Sequence, residues 1–294
     1  MNTNSEALII FCSYRKNDFL KNSEWNNLDV ILNEKNLEPQ ELLKFSKTDF
    51  ITKLGLNEIE ALRLINIREN KNEIISIIQE YEKSGVKICT IYDEHYPEKI
   101  KNKLGILSPV MFYYAGNLDI LKNKAIGFTG SRKTDDFDND KYFVETIADK
   151  VLDHGYTIVT GGAKGIDTIA SESAFSRKEN VIEFLACNLL GKSKKSDYAK
   201  NISDGNLLLM STSIPIANFN VGLAMKRNKF IYCQSNATII VKSDFKIGGT
   251  WNGAIEAIQK NYCKIFCWDC GFKGNNELIK LGAKPVNYNW NFIL

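Results

Sequence analysis

"YTIVTGGAKGID", residues 156–167, sets a β-branched run against a turn that holds three glycines and one lysine. A short apolar run closed by glycine reads as a buried strand. The segment after the turn, "IDTIASESAF", reads as a helix. A glycine-rich turn at such a junction is either a plain tight connection or a place where backbone N–H groups come close to a phosphate.

The neighbouring segments repeat the pattern. "KAIGFTG" (124–130) precedes "DKYFVETIADKVLDHG", in which Tyr142, Phe143, Ile147, Val151 and Leu152 share one helix face. "NATIIVKS" (236–243) precedes "GGTWNGAIEAIQK", and the strand "CKIFCW" follows. Near-continuous apolar strands alternating with amphipathic helices predict an α/β fold: a Rossmann-like, doubly wound, mostly parallel sheet over about residues 110–294.

The first ~85 residues have a helical period instead. Leu42, Leu43 and Phe45, then Phe50, Ile51 and Leu54, then Ile59, Leu62, Leu64 and Ile65 fall at helix-like spacings. Asn57 reads as an N-cap, and Gly85 as the stop of the helix "NEIISIIQEYEKSG". This predicts a small helical domain of SAM or helix-hairpin-helix type over 1–85, followed by the sheet domain over 86–294. "VKICTI" (86–91) and "VMFYYAG" (110–116) read as strands.

Composition bounds the function. The chain has 294 residues, 44% apolar and 25% charged, with a net charge of +3, so any anion site must come from local clusters. No secretory signal and no run of ~18 apolar residues is visible, which predicts a cytoplasmic protein with no membrane partner. Seven cysteines and two histidines suit a reducing compartment and leave little for histidine chemistry. "CKIFCWDC" groups Cys263, Cys267 and Cys270, with no fourth ligand nearby in sequence. No metal, no cofactor and no catalytic residue is expected.

In a parallel sheet, ligands bind at the carboxyl ends of the strands. Three glycine-bearing turns fall there: "GFTGSRK" (127–133), "TGGAKGID" (160–167) and "KIGGTWNG" (246–253). They carry Ser131 and Arg132, Lys164, and Thr250. Gly161, Gly162 and Gly165 are expected to bare the backbone so that phosphate sits beside Lys164. None is a dinucleotide fingerprint or a P-loop. Asp135 and Asp136 read as caps of the helix after the first turn. "NVGLAMKRNKFIYCQ" (220–234) adds Lys226, Arg227 and Lys229 around Asn228, either as a solvated helix face or as part of a nucleic-acid track.

These residues carry a resemblance. "YDEHYPEKIKNKLGILSPVMFYYAGN", "GSRK", "TGGAKGID", "KRNKFI" and "GNNELIKLGAKPV" occur in the order seen in the DNA-processing protein A (DprA/Smf) family. The resemblance covers roughly residues 80–290. It implies single-stranded DNA binding, a homodimer through the Rossmann-like domain, and RecA recombinase as a partner in competence, transformation and DNA recombination. By motif, Gly130, Ser131, Arg132, Lys164, Gly165, Lys226, Arg227 and Lys229 are implied to line a basic pocket for DNA phosphates. Gly161, Gly162, Asn228, Lys242, Gly248, Gly249 and Thr250 complete the candidate set.

The chain is similar to a divergent member. Ser171 follows Ala170 where the family has an Ala-His pair, and Lys242 stands where an acid is usual. Ser211-Thr212 replaces a Ser-Glu pair, and no C-terminal winged helix is expected. Two other readings share the fold. "GGTWNGAIEA" is similar to the motif of LOG phosphoribohydrolases, but Glu256 lies six residues after Thr250 rather than three, and position 253 is glycine. One helical turn displaces a carboxylate by about 5 Å. A SLOG-type sensor of a nucleotide signal in antiviral defence would use the same pocket. Phe128 is expected in the core, whereas Phe219, Phe245 and Trp251 are candidates for stacking on bases.

Overall fold

The N-terminal part is helical, with α1 (Thr3–Cys12), α2 (Asn22–Glu34), α3 (Lys47–Leu54), α4 (Glu58–Glu69) and α5 (Lys71–Lys83), and the Asn2, Ser46 and Asn57 side chains cap α1, α3 and α4. The computed structural model describes residues 2–14, 18–131 and 137–291. Its internal contacts divide the chain into two units, Met1–Tyr113 and Tyr114–Leu294.

In the first unit, the Asn57 side chain accepts from Glu60 N–H while Glu60 reaches back to the Asn57 N–H, closing a capping box at the start of α4. Helix α3 stops at Gly55, which adopts φ 70°. The apolar stripes meet in a core built on Phe11, Trp25, Leu32, Leu42 and Phe50. Strand β1 (Lys87–Thr90), helix α6 (Glu98–Leu104) and the first half of β2 (Met111–Gly116) also belong to this unit. Ile91 N–H donates to Val110 O at 2.9 Å. The boundary expected at residue 85 and the division after Tyr113 therefore differ by the segment 86–113.

The second unit alternates strand and helix: β3 (Ala125–Thr129), α7 (Phe137–Asp153), β4 (Thr157–Thr160), α8 (Ile166–Ser176), β5 (Val181–Phe184), α9 (Leu189–Ser193), α10 (Ser196–Ser203), β6 (Leu207–Ser211), α11 (Val221–Gln234), β7 (Ala237–Ile240), α12 (Gly248–Gln259), β8 (Lys264–Trp268), α13 (Lys273–Lys280) and β9 (Lys284–Val286). The strands order as β6-β5-β4-β3-β7-β8-β9. Every one of these neighbouring pairs is parallel. Each residue of β3, β4, β5 and β6 is buried, as strands covered on both faces require. Phe128, on β3, is fully buried in this core, as the sequence reading expects.

The order reverses at β3. From there the chain builds outward through β4, β5 and β6, then α11 crosses back and β7, β8 and β9 extend the other side. Such a reversal leaves a crevice at the carboxyl ends of the strands beside it.

Among the described residues, no helix is long and apolar enough to cross a membrane, and no group of three or more His, Cys, Asp or Glu could hold a metal ion. Cys267 is buried in β8, Cys263 lies 3.4 Å from the Thr238 hydroxyl, and Cys270 is exposed.

Candidate nucleic-acid interface

A cleft of about 330 Å³ occupies the reversal point. Thr129 at the end of β3 with Gly130 and Ser131 after it, Ala163 and Asp167 after β4, and Asp244 and residues 247–250 after β7 form its walls, together with one stripe of α11. That stripe is Val221, Ala224, Met225 and Asn228, spaced three and four apart, with Arg227 beneath. Asn220 starts α11 by accepting from the N–H groups of Gly222 (2.8 Å) and Leu223 (3.2 Å).

The floor is a buried charge pair. Arg227 Nη1 lies 3.8 Å from Asp167 Oδ2, and both side chains are 7% exposed. The same carboxylate oxygen accepts from Gly161 N–H at 3.0 Å and Ala163 N–H at 3.2 Å. Burial pushes the Asp167 carboxyl up from its unperturbed 3.8, against the pull of the Arg227 guanidinium and the Ala163 N–H; Glu183 adds to the rise.

This arrangement changes the meaning of the Gly-Gly pair. A Cβ on Gly161 would fall on the Arg227 guanidinium. Gly162 N–H donates to Thr160 Oγ1, and Gly162 O accepts from Lys192 Nζ at 2.7 Å. The expectation that these glycines bare N–H groups for phosphate is corrected: Asp167 and Thr160 already take those donors. Gly161 is small because an arginine passes it.

Beneath the turn lies a second polar cluster. Glu183 on β5 is fully buried and accepts from Ser171 Oγ at 2.8 Å. Lys192 Nζ sits 2.7 Å from its other oxygen, and Tyr198 OH donates at 3.3 Å. Ser171, where the family pattern has histidine, thus serves to solvate a buried glutamate. Sequence reading missed this cluster, although a lone acid inside the apolar run "VIEF" was its signal.

The cleft gathers Gly130, Ser131, Arg227, Asn228, Gly248, Gly249 and Thr250 from the expected set. Gly248–Thr250 form the first turn of α12, which Ile247 precedes without offering any side-chain cap, so this helix end suits an anion. Lys164 is exposed on the turn beside Ala163, next to Gly165, and Lys226 is exposed on α11; neither lines the cleft. Lys229 turns to Glu256, with Nζ 3.1 Å from Oε1. Lys242 is buried, 3.4 Å from Asp140 and 4.7 Å from the centre of the Phe272 ring. Its expected phosphate contact is corrected on that ground: a buried carboxylate already holds the ammonium. Arg132, Asp135 and Asp136 lie outside the described residues.

Arg227 is the one cationic side chain lining the cleft among the described residues, and it shares the wall with Asp167 and Asp244. The mouth is apolar: Phe219, Val221, Met225 and Ile247 are 51%, 65%, 45% and 68% exposed. Trp251, expected to stack, is buried. Glu256 accepts from Lys229 and Tyr262 and does not line the cleft.

The model of the family described as DNA recombination-mediator protein A matches residues 87–293. The chain belongs to that family. A curated relative, DNA processing protein DprA of Bacillus subtilis (strain 168), is 24% identical over 267 residues, covering 85% of this chain and 88% of the relative. The solved structure of DprA from Streptococcus pneumoniae superposes with a TM-score of 0.67 at 21% identity, covering 91% of this chain and 95% of that one. DNA processing protein A from Helicobacter pylori, described for its single-stranded DNA binding mode, gives 0.57 at 24% identity over 70% of this chain and 94% of its own. The Rossmann-like α/β fold of the DprA family is thus shared by this chain.

Proposed function

We propose that this DprA-family chain binds single-stranded DNA at the cleft, acting in the cytoplasm in DNA uptake, recombination or defence. One observation carries the reading: the uncapped first turn of α12 and the half-exposed Phe219 open onto the same concavity. A phosphate beside a base platform is what a single strand offers. Ser131 and Thr250 supply hydroxyls, Arg227 supplies charge from the floor, and Lys164 and Lys226 supply charge from exposed positions. Membership of the recombination-mediator family supports the same reading.

Binding of labelled oligo-dT across a salt series, with ATP and cyclic nucleotides as competitors, tests it. Affinity is expected to fall linearly in log salt and to resist the nucleotides. Lys164→Glu and Lys226→Glu, both at exposed positions, are each expected to weaken binding about tenfold or more with thermal stability unchanged. A cleft of this size also fits one nucleotide. Tight capture of a mononucleotide without DNA binding would replace the reading with that of a nucleotide sensor. Light scattering with and without RecA tests the homodimer and the recombinase partner that the family implies.

A further inference from the structure

Between Asp244 and Ile247, which line the cleft, the chain presents two residues that do not. Phe245 is half-buried and stands edge-on to the buried Trp251, with centroids 5.1 Å apart at 83°. Two ammonium groups approach its ring: Lys246 Nζ at 5.1 Å and Lys273 Nζ at 5.0 Å from the centroid. Both lysines are exposed, and neither is ion-paired among the described residues. They come from different elements, the loop after β7 and the start of α13.

The patch is held in place from below. Asn275 is fully buried; its Oδ1 accepts from Ser243 N–H at 2.9 Å, and its Nδ2 donates to Val241 O at 3.0 Å and Trp268 O at 2.9 Å. A Cβ on Gly274 would fall on the Ser243 carbonyl, so α13 lies directly against the loop. Lys246 adopts φ 59°, a left-handed conformation that a lysine enters at a cost.

We propose that Phe245, Lys246 and Lys273 form a second contact for single-stranded DNA, continuing the track as the strand leaves the cleft past Ile247. The inference rests on the reading of the cleft as a DNA site and adds a subsite to it. An aromatic ring flanked by two cations matches one base between two phosphates. An acidic peptide would engage the lysines and leave the ring unused.

The test compares dT oligonucleotides of about 6 and about 20 nucleotides, bracketing the usual reach of one binding groove. The variants are Lys246→Gly with Lys273→Gln, and separately Phe245→Leu. Glycine at 246 keeps the backbone conformation while removing the charge. In the double variant, the longer strand is expected to lose affinity and its salt slope to shrink by about 1.4, two charges at ~0.7 each. Phe245→Leu is expected to weaken the longer strand about tenfold. Binding of the short strand and thermal stability stay at the wild-type level. Unchanged affinity for the longer strand in either variant overturns the proposal alone. Failure of the wild type to bind either strand overturns the cleft reading and this subsite together.

Discussion

Asp167 ties the stability of the cleft floor to pH through one buried carboxyl. Its folded-state pKa lies above 3.8, so the stability it contributes is fully present below that value and is lost as pH rises through the folded pKa. Asp167→Asn is expected to flatten the stability-versus-pH curve over that window, as equilibrium denaturation at several pH values would show. Protonation also removes the charge facing Arg227, 3.8 Å away, so under the proposed reading wild-type affinity for oligo-dT is expected to rise as pH falls through the same window, which anisotropy titrations at several pH values would show. Gly161→Ala tests the floor from the other side. The added methyl needs the space of the Arg227 guanidinium, and a loss of about 1–3 kcal/mol in urea denaturation is expected, with weaker DNA binding.

At the scale of elements, the clearest sequence signals were local. The Asn57 cap, the Gly85 stop and the apolar runs of β3, β7 and β8 each depend on residues a few positions apart, and each appears where the pattern put it. The cleft was legible only in part. Its glycine turns could be placed because strand ends share one edge of a parallel sheet. What the side chains do there could not, because partners lie far apart in sequence: Lys242 meets Asp140 from 102 positions away, and Lys229 meets Glu256 from 27. A cation in a cluster looks the same on paper whether it faces solvent or a carboxylate. Asn275 makes the same point, since the role of "GNNEL" emerges only once α13 is laid against the loop after β7 and the end of β8. Asn275→Ala strips one N–H and two carbonyls of their partner, and a loss of about 2–4 kcal/mol in equilibrium denaturation is expected. Lys192→Met leaves Glu183 buried without its cation, and a loss of about 3 kcal/mol is expected by the same measurement.

For the whole molecule, a net charge of +3 gives little long-range attraction to DNA. The salt slope of oligo-dT binding should therefore report only the cations that touch phosphate. For three to five contacts, a slope of about −2 to −3.5 is expected on a single strand. A much steeper slope in filter-binding or anisotropy titrations would point to a longer basic track than the exposed lysines supply.

The place of β3 at the middle of the sheet has a consequence for how the protein is made. Ala125 N–H donates to the side chain of Asn236, 111 residues later. On a ribosome adding 5–20 residues each second, one flank of β3 stays unpaired for roughly 6–22 s after that strand is synthesised. During that interval a nascent chain holds an open, apolar strand edge, which is when a chaperone would find it.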